Sequence, residues 1–344
     1  MKKQYFLAFL SQLIFSSLGW SQSSELGALV QTGGQNINRY GAAYLRPANN
    51  VLGIILNNGW YNTAEVLKPG RFEIRLVASG AVAASEDLTF DLRSIGLSND
   101  IQILDQNTVT PTILGADNPG PAIQKVFAPP LVDTLQTVNF NAPQGLGLNL
   151  LALPQLQISV GLPIKGLEAT LRFIPPLSYN FSGANANLGI YGLGIKWDFQ
   201  RLIPRMNLWP VHFALAANAT YMGLITSLDI QPANLPNASN NLLQANQYQD
   251  QQLAFETVAY GFSLLMSKKL PGVTFFTALR YDAATTSLNL KGNYPFTSVE
   301  TSRTDADFQR QVVDVARNPI SFNTNFQQIG INGGMRIKLG FFTL

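Results

Sequence analysis

The chain has no cysteine and only one histidine, His212, among its 344 residues. The lack of cysteine excludes disulfide bonds and thiol chemistry, and it excludes a lipid attached to an N-terminal cysteine. A Ser-His-acid site would have to use His212, and a zinc site would need cysteine or several histidines. These absences argue against an enzyme and predict neither a metal nor a cofactor.

Charged residues and long hydrophobic runs are also scarce. Only 12% of the residues are charged, whereas soluble domains have about a quarter, yet 46% are hydrophobic. Beyond the N-terminus, no apolar run reaches the ~20 residues of a membrane helix, and the mean hydropathy is +0.09. The net charge of +3 includes Lys2 and Lys3, so nothing in the charge predicts binding to nucleic acid. This composition excludes a polytopic helical membrane protein and is unusual for a soluble domain.

The N-terminus is typical of a secretory signal peptide. Lys2 and Lys3 give it a positive start, and an apolar core of about 14 residues follows, too short for a membrane anchor. Small residues then precede a cleavage position ahead of Gln22. We therefore predict that residues 1–21 are a cleaved signal peptide and that the protein is exported to the outer membrane.

Apolar and polar residues alternate in the rest of the chain, as in VHFALAANATY at 211–221. Period two predicts β-strands with side chains on opposite faces. A soluble sandwich also alternates, but its strands average five or six residues, whereas these segments are about 12–18 long with large apolar residues on one parity, an arrangement typical of a transmembrane barrel. Eight such strands are directly legible, near 71–84, 148–161, 167–176, 187–199, 209–227, 251–267, 273–291 and 321–343.

The connections between these strands alternate in length. Tight turns at 162–166 and 268–272 alternate with longer connections near 176–186, 229–251 and 292–320. In outer-membrane barrels the short turns face the periplasm and the long loops face the exterior. We expect both termini in the periplasm and an even number of strands, to which residues 85–147 add two or more. The prediction is an antiparallel outer-membrane β-barrel of 10–14 strands over residues 70–344.

Residues 22–69 do not alternate and form the predicted plug. Their Gly and Asn residues permit tight turns, while apolar side chains among them require burial. An eight-stranded barrel has no room for a plug, which favours the higher strand number. The residues expected to hold the plug are Arg39, Arg46, Trp60 and Tyr61, with the arginines pairing with lumen acids such as Glu168 or Asp198.

Charged and polar side chains on the inward parity are candidate lumen-lining residues. Unpaired charges in a confined lumen are costly, so we expect them to form pairs or to contact water and the plug. A structural network and a pathway for a solute both account for them, and both interpretations stay open. The candidates are Glu73, Arg75, Glu168, Arg172, Lys196, Asp198, His212, Asn218, Arg280, Asp282, Arg336 and Lys338.

Several segments resemble a known family. They are YLRPANNVLGIILNNGWYNTAEV at 44–66, TPTILG at 110–115, LQISVGLPIKGLEATLRFIPP at 156–176 and LGIKWDFQRLIPRM at 193–206. They are similar to a Bacteroidota family of outer-membrane proteins known only as a domain of unknown function. A plug followed by a barrel more remotely resembles the outer-membrane long-chain fatty-acid transporters, which implies fourteen strands and a lateral route for hydrophobic solutes.

These features together predict a monomeric outer-membrane β-barrel that takes up a small hydrophobic solute passively. The alternative is a non-transporting barrel that serves as a structural or accessory subunit of an outer-membrane protein complex. The expected partners are outer-membrane lipid, the barrel assembly machinery during biogenesis, and either such a solute or another outer-membrane protein.

Overall fold

The computed structural model describes residues 34–127, 136–181, 184–203, 206, 209–228, 248, 250–301, 309–339 and 342–343. The predicted signal peptide, the first residues of the predicted plug and Leu344 lie outside these ranges. The described chain is mostly antiparallel β-sheet, with 59% strand and one helix. Within the described ranges, no helix combines the length and the apolar character needed to cross a membrane.

The α-helix precedes the strands. The elements are α1 (Gly34–Asn57), β1 (Phe72–Val82), β2 (Thr89–Asp91), β3 (Ile101–Ile103), β4 (Val109–Pro111), β5 (Ala122–Phe127), β6 (Gln136–Asn141), β7 (Leu150–Gly161), β8 (Leu167–Phe181), β9 (Ala184–Trp197), β10 (His212–Ser227), β11 (Gln252–Leu270), β12 (Val273–Lys291), β13 (Asn293–Thr301), β14 (Gln309–Arg317), β15 (Ile320–Leu339) and β16 (Phe342–Thr343).

Eight long strands form one curled antiparallel sheet. Their order is β1-β7-β8-β9-β10-β11-β12-β15, and the two-residue β16 follows β15. These are the eight strands that alternation predicts, which confirms that part of the interpretation. At the ends of the long-strand order, Arg336 Nη2 of β15 lies 3.3 Å from Glu73 Oε1 of β1. We call these facing edges of β1 and β15 the seam.

The expectation that residues 85–147 add strands to this sheet is wrong. Their strands have three to six residues and form two separate small sheets, β2-β4 and β3-β5-β6. Prolines and glycines interrupt the segment, and proline removes a ladder hydrogen bond. The curled sheet of the described chain therefore has eight long strands, fewer than the 10–14 predicted.

Two connections predicted as long loops are partly strand. Around 176–186, β8 continues to Phe181 and β9 begins at Ala184. The connection at 292–320 contains the antiparallel hairpin of β13 and β14. In β8, apolar and polar residues still alternate from Leu177 to Phe181, but Pro175 and Pro176 interrupt the run, and the pairing with β9 shifts register there.

The two faces of the curled sheet differ as alternation predicts. On the convex face, Leu193 is 67% exposed and Phe262 is 55% exposed. On the concave face, Arg172 is completely buried and Glu168 is 4% exposed. The convex face is thus apolar, whereas the concave face combines buried polar and charged side chains with a buried apolar cluster.

The expectation of a compact insert built from tight turns is wrong for residues 34–57, which form the single helix α1. Its buried residues recur at helical spacing, as in Ile37, Tyr40, Ala48, Val51 and Ile55. This period of three to four residues is the signal that predicts a helix. The Gly and Asn residues obscured it because both are poor helix formers.

The C-terminal half of α1 packs on the concave face of the curled sheet, and its N-terminal half packs on the small sheets. Val51, Ile55 and Leu56 belong to one buried apolar cluster with residues of the long strands. Ile37 and Tyr40 belong to a second cluster with residues of the small sheets and of the ends of β12 and β15. The helix is therefore enclosed along most of its length.

Candidate functional site

The C-terminal end of α1 is the centre of the candidate site. The last carbonyls of a helix have no partner within the helix and carry the negative end of its dipole. Gly59 follows α1 with a φ of 73°, a left-handed conformation that ends helices and that glycine adopts without strain. The chain then crosses the concave face as an extended segment, residues 60–71, before β1. We call this end of α1 and the concave side chains bound to it the docking site.

Arg172 of β8 makes the most extensive contact in the docking site. Its Nη1 donates to the carbonyl of Leu56 at 2.6 Å, and its Nη2 donates to the carbonyl of Asn58 at 2.6 Å. Its guanidinium also lies 3.9 Å from the centre of the Trp60 ring, a cation–π contact. One buried arginine thus holds both the helix end and the first residues after it.

Two further arginines bind the same turn. Arg280 Nη2 donates to the carbonyl of Asn57 at 2.6 Å and to Asp282 Oδ1 at 2.9 Å. Arg75 Nη2 donates to the carbonyl of Trp60 at 3.0 Å. Cations at the C-terminal end of a helix are favourable because they face the negative pole of its dipole. The arginines stabilise α1 in its observed direction.

Neutral side chains of the curled sheet complete this part of the site. Asn218 Nδ2 donates to Asn57 Oδ1 at 2.8 Å. Thr220 Oγ1 donates to the carbonyl of Leu56 at 3.3 Å, and Gln157 Nε2 donates to that of Gly59 at 3.0 Å. Strands β7, β8, β10 and β12 therefore all contribute side chains to one turn of backbone.

The extended segment is held by a second group of polar contacts. Tyr61 donates its hydroxyl to Ser263 Oγ at 2.5 Å, and burial raises the pKa of this phenol. The backbone N–H of Leu67 donates to Glu168 Oε2 at 2.9 Å. Glu168 Oε1 also pairs with Lys196 Nζ at 3.1 Å, and both side chains are buried. A buried ion pair needs such additional hydrogen bonds to offset its desolvation.

Glycines of β9 make room for Trp60. A Cβ on Gly194 would lie 2.7 Å from the Trp60 ring, and one on Gly192 would lie 3.0 Å from it. The first distance is shorter than real Cβ contacts and the second is tight, so β9 needs glycine at position 194, where the indole lies against it. The indole Nε1 donates to the carbonyl of Leu56 at 3.1 Å.

The remaining predicted residues lie nearer the rim. His212 Nε2 is 3.2 Å from Glu65 Oε1, which is the role of an ordinary polar residue near a strand end. Glu73 and Arg336 pair at the seam. Asp198 is buried, and its backbone N–H donates to the carbonyl of Gly166 at 2.8 Å. Lys338 is exposed, so it does not join the docking site.

The expected pairing of Arg39 and Arg46 with Glu168 or Asp198 is wrong. Arg39 donates to the carbonyl of Gly96, and Arg46 Nη2 pairs with Asp87 Oδ1 at 2.9 Å. Both arginines lie more than ten residues before the helix end. At a rise of ~1.5 Å per residue this places them more than ~15 Å from the docking site, and they contact the segment of the small sheets instead. Sequence alone did not provide the direction of this helix.

Sequence reasoning also missed the acceptors that the lumen arginines contact. Asn57, Asn58 and Gly59 lie in the NNG stretch, which directly follows the apolar period of α1. Asparagine and glycine after a helical period signal a helix end, and a helix end needs donors. Ser263 and Ser267, which bind the extended segment, carried no signal beyond their inward parity.

Nothing described in the docking site is arranged for catalysis. The donors above bind carbonyls or carboxylates of the same chain. Among the described residues, no group of three or more His, Asp or Glu side chains could hold a metal ion. The chemistry of the arrangement is that of anchoring one part of the chain inside another.

The chain belongs to a family of unknown function, DUF6588, which it matches over residues 1–344. No curated protein and no solved structure matches it. A Bacteroidota origin and the remote similarity to fatty-acid transporters stay predictions.

Proposed function

We propose that this chain is an outer-membrane β-barrel plugged by its own N-terminal segment, and that it serves as a structural or accessory barrel rather than as an open pore. The observation that carries the proposal is the docking site. From inside the curled sheet, Arg172 and Arg280 bind carbonyls at the helix end, and Arg75 binds the carbonyl of Trp60 just beyond it.

The convex face supports a membrane location. On β9, Tyr191 and Trp197 bracket the exposed Leu193 and Ile195, and six residues of strand span about 20 Å. An outer-membrane barrel presents an apolar band about 25 Å high between aromatic girdles. Tyr191 pairs with Phe173 of β8 and with Tyr221 of β10, so this aromatic row continues across three strands.

Beyond the aromatic row, the convex face becomes polar. Thr285 Oγ1 donates to Asn325 Oδ1 at 3.0 Å, and Ser321 Oγ donates to Asn289 Oδ1 at 2.8 Å. These exposed contacts join β12 and β15 toward the long connections. An apolar band with a polar zone beyond it fits a barrel whose strands continue past the bilayer surface.

A membrane location requires the sheet to close. An unpaired strand edge in lipid leaves N–H and C=O groups without partners, at several kcal/mol for each group. The contact between Glu73 and Arg336 across the seam supports closure of β1 against β15. We therefore propose an eight-stranded barrel in which these two strands form the closing pair.

The filled interior favours an accessory role over free diffusion. The interior of a barrel with eight strands is just wide enough for side chains, and here small residues on both sides admit α1: Ala259 and Ala284 of the sheet pack against it, and a Cβ on Gly261 of β11 would lie 3.1 Å from Asn57 Oδ1. Gly53 of α1 lies so near Phe326 of β15 that a Cβ would be 2.4 Å from the ring. A helix held this closely blocks the path that a solute would take.

Conductance measurements test this proposal. Purified full-length protein, first shown to fractionate with the outer membrane, is reconstituted in planar bilayers. We expect no steady conductance.

The variant Arg172→Ala/Arg280→Ala, which loosens the helix end, should produce channel events. The matched control Arg71→Ala/Lys165→Ala removes two exposed cations and should stay silent. Steady conductance by the unaltered protein would contradict the plugged barrel.

Passive uptake of a small hydrophobic solute is the second candidate. It requires the seam to be a gap instead of a closing pair: β1 and β15 have no backbone pairing in the described part of the chain, and such a gap would leave a lateral route into the barrel wall. Cysteines at positions 73 and 336, joined by a bismaleimide, would close that route. Uptake of a fluorescent fatty acid by liposomes should then fall if the seam is the entrance, and the cysteine pair before cross-linking is the control.

A further inference from the structure

The two ends of α1 lie at opposite ends of the curled sheet. Near its start, Asn36 Nδ2 donates to Ser98 Oγ at 2.6 Å, and the N–H of Ser98 donates back to Asn36 Oδ1 at 3.0 Å. The N–H of Ser321, the second residue of β15, donates to Asn38 Oδ1 at 3.2 Å. These partners belong to the long connection 83–149 and to the strand that follows the long connection 292–319.

The chain after α1 reaches the opposite end of the sheet. The N–H of Ala64 donates to Ser267 Oγ at 3.0 Å, and Glu65 Oε1 lies 3.9 Å from Lys269 Nζ. Ser267 and Lys269 immediately precede the tight turn between β11 and β12. The helix therefore runs from the end with the long connections toward the end with the tight turns.

The docking site fixes this direction. Arg172 and Arg280 bind carbonyls at the C-terminal end of α1, where the negative pole of the helix dipole lies. A helix threaded the other way would bring its N–H groups and its positive pole to the same two cations. The same concave face would then repel the helix that it now holds.

We propose that the helix enters the barrel from the cell exterior, so that its first residue, Gly34, lies at the cell surface. The inference rests on the proposed outer-membrane location and on the rule that tight turns face the periplasm. It replaces the expectation that both termini are periplasmic. The start of α1 is then accessible from outside the cell, a property separate from blocking the pore.

The absence of cysteine allows a direct test of the side on which Gly34 lies. The single variants are Gly34→Cys, where a Cβ meets no atom within 4 Å, Asn99→Cys near the start of the helix, and Lys165→Cys in the tight turn between β7 and β8. All three positions are exposed. Each variant is treated with a membrane-impermeant maleimide in intact cells and again after the outer membrane is permeabilised.

We expect Gly34→Cys and Asn99→Cys to react fully in intact cells, and Lys165→Cys to react at least tenfold less until the membrane is permeabilised. Protection of Gly34→Cys in intact cells, with or without protection of Lys165→Cys, would overturn the proposal. The unaltered chain, which has no thiol, gives the background.

Distances in purified full-length protein test the helix direction independently of its location in the cell. Spin labels on the pair Gly34→Cys/Asn99→Cys should be close, whereas labels on Gly34→Cys/Lys165→Cys should be separated by roughly 36 Å or more, the length of a 24-residue helix. The reverse order would overturn the threading itself. The expected order together with absence from the outer-membrane fraction would instead refute the proposed function, and the surface position of Gly34 with it.

Discussion

The convex and concave faces of the curled sheet are made by the same strands and meet opposite surroundings. On β9, Leu193 points outward and is exposed, while the next residue in sequence, Gly194, lies against the buried Trp60. Exposed apolar area costs about 25 cal/mol per Å² in water, so an apolar environment, as in the proposed membrane location, would stabilise the convex face. The concave face has its environment within the chain, because α1 and the extended segment supply its partners.

The difference shows where each face obtains its stability. The convex face depends on a surrounding that the chain does not contain, whereas the concave face depends on hydrogen bonds and ion pairs between distant parts of the chain. Substitutions on the concave face should therefore act in any medium that keeps the protein folded. Substitutions on the convex face should act mainly in lipid.

The largest effect is expected from Arg172→Ala on the concave face. It removes two hydrogen bonds from a buried cation to the carbonyls of Leu56 and Asn58, and hydrogen bonds to charged groups contribute roughly 1.5–3 kcal/mol each. Urea unfolding in lipid vesicles and in detergent should give similar losses. The control Arg71→Ala, at an exposed position, should change the free energy of unfolding by less than about 0.5 kcal/mol. Equal losses of unfolding free energy in the two variants would mean that Arg172 does not anchor the helix end.

Leu193→Arg tests the convex face. A cation near the bilayer midplane of a barrel costs ~2–4 kcal/mol in lipid, so the variant should refold poorly into vesicles. Asn323→Arg, also on the convex face but toward the long connections, is the control and should cost about 0–1 kcal/mol. If both variants refold equally well into vesicles, the apolar band is not in contact with lipid.

Gly194→Ala measures how closely Trp60 packs. The added Cβ would lie 2.7 Å from the indole, and overpacking of this kind costs roughly 1–3 kcal/mol. Gly330→Ala, on the same face with no atom within 4 Å of its Cβ, should be neutral. A double-mutant cycle with Trp60→Leu should show coupling, and additive effects would mean that the indole does not lie against β9.

The smallest effect is expected at the seam. Glu73→Gln removes the charge that faces Arg336, but both side chains are more than a fifth exposed, and such pairs contribute about 0–1 kcal/mol. A folded barrel is expected to migrate faster on a gel when unheated than when boiled, and this heat-induced mobility shift should persist in the variant. Loss of that shift would mean that the ion pair, rather than the strand backbones, closes the barrel.

Alternation predicted the curled sheet because side-chain direction in a strand depends only on sequence parity. For the same reason it assigned Arg172, Lys196 and Arg280 to the inner face, and all three are buried there. It failed for residues 85–147, where strands of three to six residues are too short to display a period. It also failed for α1, where the helical spacing was present but Gly and Asn were given more weight.

The sequence did not predict which groups the inward charges bind. Glu168 was expected to bind Arg39 or Arg46, yet it binds Lys196 and the N–H of Leu67. Parity predicts the face on which a side chain lies but not the level, along the strand direction, at which it meets the helix. That level depends on the register between strands and on where the helix ends.

The sequence by itself determined the eight long strands, the apolar convex face, the polar concave face and the absence of thiol chemistry, because these follow from local parity and composition. Only the tertiary structure decided that residues 34–57 form a helix inside the sheet, that its C-terminal end meets Arg172 and Arg280, and that it runs from the long connections toward the tight turns. The physical reason is that an arginine and a carbonyl 116 positions apart recognise each other through distance and dipole, which no local pattern records.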